Sequence, residues 1–109
     1  MKIPGGDGLQ RQLMRQMQKF QQDLKAAQQE LDGLRIEASA GGGAVKAVAN
    51  GNGDLLDLEI SPEAVDPAEV EMLRDLVLVA VREVLEKARQ AQEERMGDLS
   101  GALGLPPIF

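Results

Sequence analysis

Residues 36–60 read Ile36-Glu37-Ala38-Ser39-Ala40-Gly41-Gly42-Gly43-Ala44-Val45-Lys46-Ala47-Val48-Ala49-Asn50-Gly51-Asn52-Gly53-Asp54-Leu55-Leu56-Asp57-Leu58-Glu59-Ile60. Apolar and polar residues alternate in three short runs. Ile36, Ala38 and Ala40 form the first; Val45, Ala47 and Ala49 the second; Leu56, Leu58 and Ile60 the third. Period-two alternation marks strands with one covered face. Gly41, Gly42 and Gly43 break the first run from the second. Asn50-Gly51-Asn52-Gly53-Asp54 breaks the second from the third, and is dense in residues that tolerate positive φ. Three short strands on tight turns make an antiparallel meander with one apolar face.

Helices are predicted on both sides. Upstream, Leu13, Met17, Phe20, Leu24, Ala27, Leu31 and Leu34 follow at spacings of 4, 3, 4, 3, 4 and 3. That is a stripe of period 3.5. Asp7 with Gln10 fits a capping box at its start, and Gly33 fits a left-handed stop at its end. Such a helix is longer than a three-stranded sheet is wide, so part of its stripe must find another helix. Downstream, Asp66-Pro67-Ala68-Glu69 combines a capping acid, a first-turn proline and an acid at the third position. Leu73, Leu76, Val77, Ala80, Val84, Ala88 and Ala91 then form an apolar stripe. Residues 76–81 are apolar all round, which requires burial on more than one side. The fold class is α+β: an α–β–β–β–α protomer, its three-stranded antiparallel meander flanked by two long helices. Its 109 residues suit one domain. Residues 1–8 read as a flexible lead. Residues 97–109, with three glycines and Pro106-Pro107, read as a tail beyond the helix.

Composition excludes several functions. The chain has no cysteine, histidine, threonine, tryptophan or tyrosine. Disulfides, thiolate or imidazole metal sites and Ser-His-Asp or Cys-His catalysis are therefore ruled out. Gly41, Gly42 and Gly43 precede a lysine, Lys46, that falls in a strand and lacks the Ser or Thr of a phosphate-binding loop. Asn50, Asn52 and Asp54 imitate the start of a calcium loop, but Leu55 and Ser61 stand where Gly and Glu are needed. Asp57 and Glu59 share a strand face without a sheltered cleft. No enzyme, cofactor, metal or small-molecule substrate is expected. The longest apolar run has six residues, too short to span a bilayer, and no export signal opens the chain. A cytoplasmic protein is expected.

The net charge is -6, unevenly spread. Residues 1–35 have a net charge of +2, residues 36–66 of -5 and residues 67–109 of -3. Arg11, Arg15 and Lys19 recur every four residues, away from the apolar stripe, and form a basic ridge on the first helix. Any affinity for a phosphate backbone belongs there, with Lys46, which points away from the core, as a secondary contact. The thin, aromatic-poor core makes oligomerisation a natural source of burial. Leu13, Met17 and Phe20 of the first stripe and Leu76, Val77 and Ala80 of the second are the expected dimer interface.

Nearly the whole chain resembles the YbaB/EbfC family of bacterial nucleoid-associated proteins. The resemblance rests on Leu13-Met14-Arg15-Gln16-Met17-Gln18-Lys19, then Glu37-Ala38-Ser39-Ala40-Gly41-Gly42-Gly43-Ala44-Val45-Lys46. It continues in Asn50-Gly51, Ile60-Ser61-Pro62, Glu71-Met72-Leu73-Arg74-Asp75-Leu76-Val77 and Gly104-Leu105-Pro106-Pro107. Two departures are a slimmer second strand, Lys46-Ala47-Val48-Ala49, and Ile108 where the family often has Gly. The resemblance implies a homodimer with projecting, tweezer-like helices that binds DNA in the nucleoid without catalysis. A protein–protein adaptor using the long striped helix is the alternative reading.

Overall fold

A computed structural model describes residues 6–102, with side chains from residue 8 to residue 101. The element order is α–β–β–β–α, as the sequence predicts. Helix α1 spans Gly6–Asp32; strands β1, β2 and β3 span Ile36–Ala40, Val45–Ala49 and Leu55–Ile60; helix α2 spans Val70–Ala102. Two 3-10 turns, Pro62–Ala64 and Pro67–Glu69, link β3 to α2.

From Gly8 to Arg35 no β-branched residue interrupts α1. Its Gln, Leu, Lys, Arg and Met side chains lose little rotamer freedom in a helix. The cap expected at Asp7 lies outside the described side chains. Gly33 does end the helix, its N–H donating to the Gln29 carbonyl at 3.1 Å. Its φ is not positive, however, so the expected left-handed stop is corrected. The chain there is held by tertiary contacts instead. At α2, Asp66 caps as expected, its Oδ1 accepting from the Ala68 N–H at 2.9 Å. The first turn is 3-10 and the α-helix proper begins at Val70.

The sheet order is β1-β2-β3, both pairs antiparallel. Ala38 faces Ala47, Ala47 faces Leu58 and Val45 faces Ile60. Ala38, Val45, Ala47 and Ala49 of the sheet and Ala80 and Val84 of α2 form the buried core, with Leu73, Leu76, Val77 and Val81 packed against it. The small residues let the helix lie close to the sheet. Val84 is among the largest fully buried side chains. Val84→Ala should therefore lower stability by about 2 kcal/mol, as a core truncation that leaves a void; a denaturant midpoint within error of wild type would contradict this.

Four features depart from expectation. Ala80, predicted at a dimer interface, is fully buried within one chain; the sheet takes its whole surface and leaves none for a partner. Val48, which alternates with the covered residues Val45, Ala47 and Ala49, is fully buried too, flanked across the sheet by Glu37 and Asp57. The pairing shifts between Val48 and Ala49. Leu56 becomes the extra residue of a bulge, so Leu55 and Leu56 both stand exposed. Finally, α2 does not stop at Gly97 but runs through it and Gly101 to Ala102. Each interior glycine costs about 1 kcal/mol, which burial of Leu99 and Ser100 helps offset. The rest of the expected tail, residues 103–109, lies outside the described residues, as does the start of the lead.

The molecule is a rod. Its extents are 82 × 22 × 18 Å and its radius of gyration is 21.8 Å, against about 13 Å for a compact chain of this length. Helix α2 covers β1 and β2 and barely touches β3.

Candidate nucleic-acid interface

The candidate residues Arg11, Arg15 and Lys19 lie on the outer half of α1. At about 100° per residue, Arg11, Arg15 and Lys19 stand on the helix back, and Leu13, Met17 and Phe20 on its front. Between Gly8 and Gln22 there are three cations and no acid. All three are exposed, and among the described residues none is in an ion pair. Arg11 and Arg15 meet around a shallow groove with Met14 and Gln18. The ridge from Arg11 to Lys19 rises about 12 Å.

Several cations elsewhere are engaged by acids. Arg95 pairs with Glu30 at 3.0 Å and approaches Asp98 at 3.8 Å. Arg89 bonds Glu86 and Glu93. Lys46 lies on the outer sheet face, 3.2 Å from Glu59 and 3.7 Å from Glu37. The hydrogen bond to Glu59, then the charge of Glu37, hold its ammonium above the ordinary lysine pKa. The structure does not bring Lys46 to the ridge: about 20 Å of helix separates Lys19 from Asp32, where α1 meets the sheet.

That meeting point is a clamp built by the β2–β3 turn. The Gly51 N–H donates to the Leu31 carbonyl at 2.7 Å. Asn52 Nδ2 donates to the Gln28 carbonyl at 3.2 Å. The Leu31 carbonyl belongs to the last helical turn and has no partner inside the helix, whereas the Gln28 carbonyl lies one residue before it. Asn50, 3% exposed, holds the turn itself. Its Oδ1 accepts from the Asn52 and Asp54 N–H groups, both at 3.0 Å. Its Nδ2 donates to Asp54 Oδ2 at 3.0 Å and to Asp32 Oδ1 at 3.2 Å. A Cβ on Gly51 would fall 2.8 Å from the Leu31 carbonyl oxygen, so only glycine admits the contact. The sequence marks Asn50-Gly51 as a turn; that the turn also caps a helix has no local signal.

The front stripe is covered unevenly. Ala27 and Leu31 are buried, while Leu13 and Met17 are 53% and 64% exposed. Phe20 is half-buried, as are Leu76 and Val77. Sequence reasoning missed the second bare surface, Leu55, Leu56 and Ile60 on β3; the Leu-Leu pair interrupting the alternation was its one signal. Among the described residues no group of three or more Asp, Glu, His or Cys side chains could hold a metal. None of the described helices is long and apolar enough to cross a membrane.

A thin three-stranded sheet thus carries a projecting helix with a basic ridge. The profile of the YbaB/EbfC DNA-binding family matches residues 7–103, and the chain belongs to that family. A nucleoid-associated protein of Pelotomaculum thermopropionicum is 50% identical over 97 residues, covering 89% of this chain and 92% of that protein. One of Clostridium perfringens is 48% identical over 107 residues, covering 98% and 96%. The crystal structure of an uncharacterized protein from Helicobacter pylori shares the fold, with a TM-score of 0.70 at 18% identity over 76% of this chain and 87% of that one.

Proposed function

We propose that this chain is a non-enzymatic, nucleoid-associated DNA-binding protein of the cytoplasm, acting as a homodimer. It grips phosphates through Arg11, Arg15 and Lys19 of α1. The observation that carries this reading is the acid-free ridge on a helix that projects beyond the sheet. Family membership and the names of the relatives support it. Lys46 is a secondary contact, since a phosphate must first draw it from two carboxylates. Six cations in a dimer give a log–log salt slope of about -5, at 0.9 per phosphate. Fluorescence anisotropy on a labelled duplex at two salt concentrations tests this. Absence of binding even at low salt would replace it with the adaptor reading, which the bare α1 stripe favours.

The dimer rests on exposed apolar surface. Helix α2 barely touches β3, and Leu55, Leu56 and Ile60 of that strand stand exposed. A second copy placed against this edge would bury it; the predicted contacts Leu13, Met17 and Phe20 stand farther out on the arm. Light scattering should give about 23 kDa, twice the 11.7 kDa of one chain. The double substitution Leu56→Asp with Ile60→Asp should return the mass to one chain without unfolding it, because charges on an edge strand block pairing. An unchanged mass would place the interface elsewhere.

A further inference from the structure

We propose that Arg95 is a positioning residue for the basic ridge: through Glu30 it fixes the roll of α1 about its own axis, and with it the direction in which Arg11, Arg15 and Lys19 face. The grip is two-pronged. Arg95 Nε lies 3.0 Å from Glu30 Oε2, and Arg95 Nη2 donates to Glu30 Oε1 at 3.3 Å. A planar fork set on both oxygens of a carboxylate fixes direction as well as distance. Arg95 Nη1 is 3.8 Å from Asp98 Oδ2 on its own helix, which steadies the guanidinium. The Nε atom is closed off from solvent, so water cannot take the place of Glu30 there. Removing one partner of such a pair leaves the other charge uncompensated.

Where the grip falls on α1 gives it its effect. With 3.6 residues per turn, Glu30 is about 160° around the helix from both Gln28 and Asp32. Those are the residues on which the β2–β3 turn acts, through Asn52 and Asn50. The base of α1 is therefore held on two opposite flanks, by the sheet on one and by α2 on the other. Between the flanks lie Ala27 and Leu31, both buried. Two grips on opposite flanks resist roll, whereas one alone is a pivot. Residues 8–19 are all exposed, so among the described residues nothing farther out corrects a roll set at the base. Arg11 to Lys19 covers about 80° of the helix circumference, and a roll of that size turns the whole ridge aside.

Two readouts test this, and only the second rests on the nucleic-acid reading. The chain has no cysteine, so Gln21→Cys with Gln90→Cys puts one spin label on α1 and one on α2. Dilution with unlabelled chain confines the measured distance to a single chain. The doubly labelled protein should give one narrow distance distribution. Arg95→Met and Glu30→Ala should each broaden or shift it by about 5 Å, the path of a surface side chain when a helix about 10–12 Å across rolls by about 50°. The swap Glu30→Arg with Arg95→Glu should narrow it again. Glu30 is exposed, so its truncation leaves the core intact, and an unchanged distribution in Glu30→Ala would overturn the proposal. So would a swap that restores nothing, since Arg95 would then act by packing alone. On a labelled duplex, Glu30→Ala should bind several-fold more weakly with the wild-type salt slope, although it removes a negative charge. Tighter binding, which charge alone would produce, would overturn the positioning role. Absence of binding by the wild type would remove the nucleic-acid reading and leave the distances to decide the roll.

Discussion

The triple substitution Arg11→Gln, Arg15→Gln, Lys19→Gln should nearly abolish DNA binding while leaving the protein folded. The three side chains are exposed and point away from the apolar stripe, so the core does not feel their loss. Glutamine keeps helix propensity and length. What disappears is a run, Gly8 to Gln22, that holds three cations and no acid. With six phosphate contacts per dimer, wild-type affinity should fall about a thousand-fold between 50 and 200 mM salt. The variant should bind weakly at 50 mM and change little as salt rises. Its loss should be the same on every duplex sequence, because phosphates carry no sequence information. Anisotropy titrations on two unrelated duplexes measure both quantities. Wild-type affinity and slope in the variant would refute the site.

Gly51→Ala should be the most damaging single methyl group in the protein. The added Cβ would sit 2.8 Å from the Leu31 carbonyl oxygen and 3.0 Å from its Cα. Those are backbone atoms of a helix and cannot swing aside as a side-chain tip can. Either the Gly51 N–H loses its 2.7 Å bond to that carbonyl, or α1 shifts and Asn50 loses Asp32. Unpairing buried polar groups costs about 1–3 kcal/mol each. A loss of about 3 kcal/mol corresponds to a fall in Tm of about 10 °C or more in a domain this small. Thermal unfolding followed by circular dichroism checks it. A Tm within about 2 °C of wild type would mean that the turn and the helix end are not coupled.

Most of the fold was legible in the sequence because its signals are local. The existence and order of the strands, the glycine-rich turns, the helical stripe and the Asp66 cap each depend on residues close in the chain, and each was read correctly. The errors arose where a distant segment decides. Gly33 looked like a left-handed stop, but the helix end is satisfied by a turn some twenty residues later. Gly97 looked like a terminus, yet α2 passes it. Ala80 looked available to a partner, whereas the sheet covers it completely. Val48 alternates as a surface residue and is buried because it sits in the middle strand. For the site, the ridge Arg11, Arg15 and Lys19 was visible as spacing and charge. The carboxylates that engage Lys46 lie on neighbouring strands and become its partners only through the register.

The clamp at Asn50 and Gly51 also makes α1 a lever. Its fulcrum is at Asp32, and Arg11 lies about 31 Å out along the helix axis. A tilt of about 10° at the fulcrum would swing that guanidinium about 5 Å, farther than the 3.4 Å axial step between phosphates of one strand. Small angular play at a turn that never meets the nucleic acid is thus magnified at the tip into a whole phosphate register. The aim of the basic ridge is therefore decided by the stiffness of five residues at the other end of the helix.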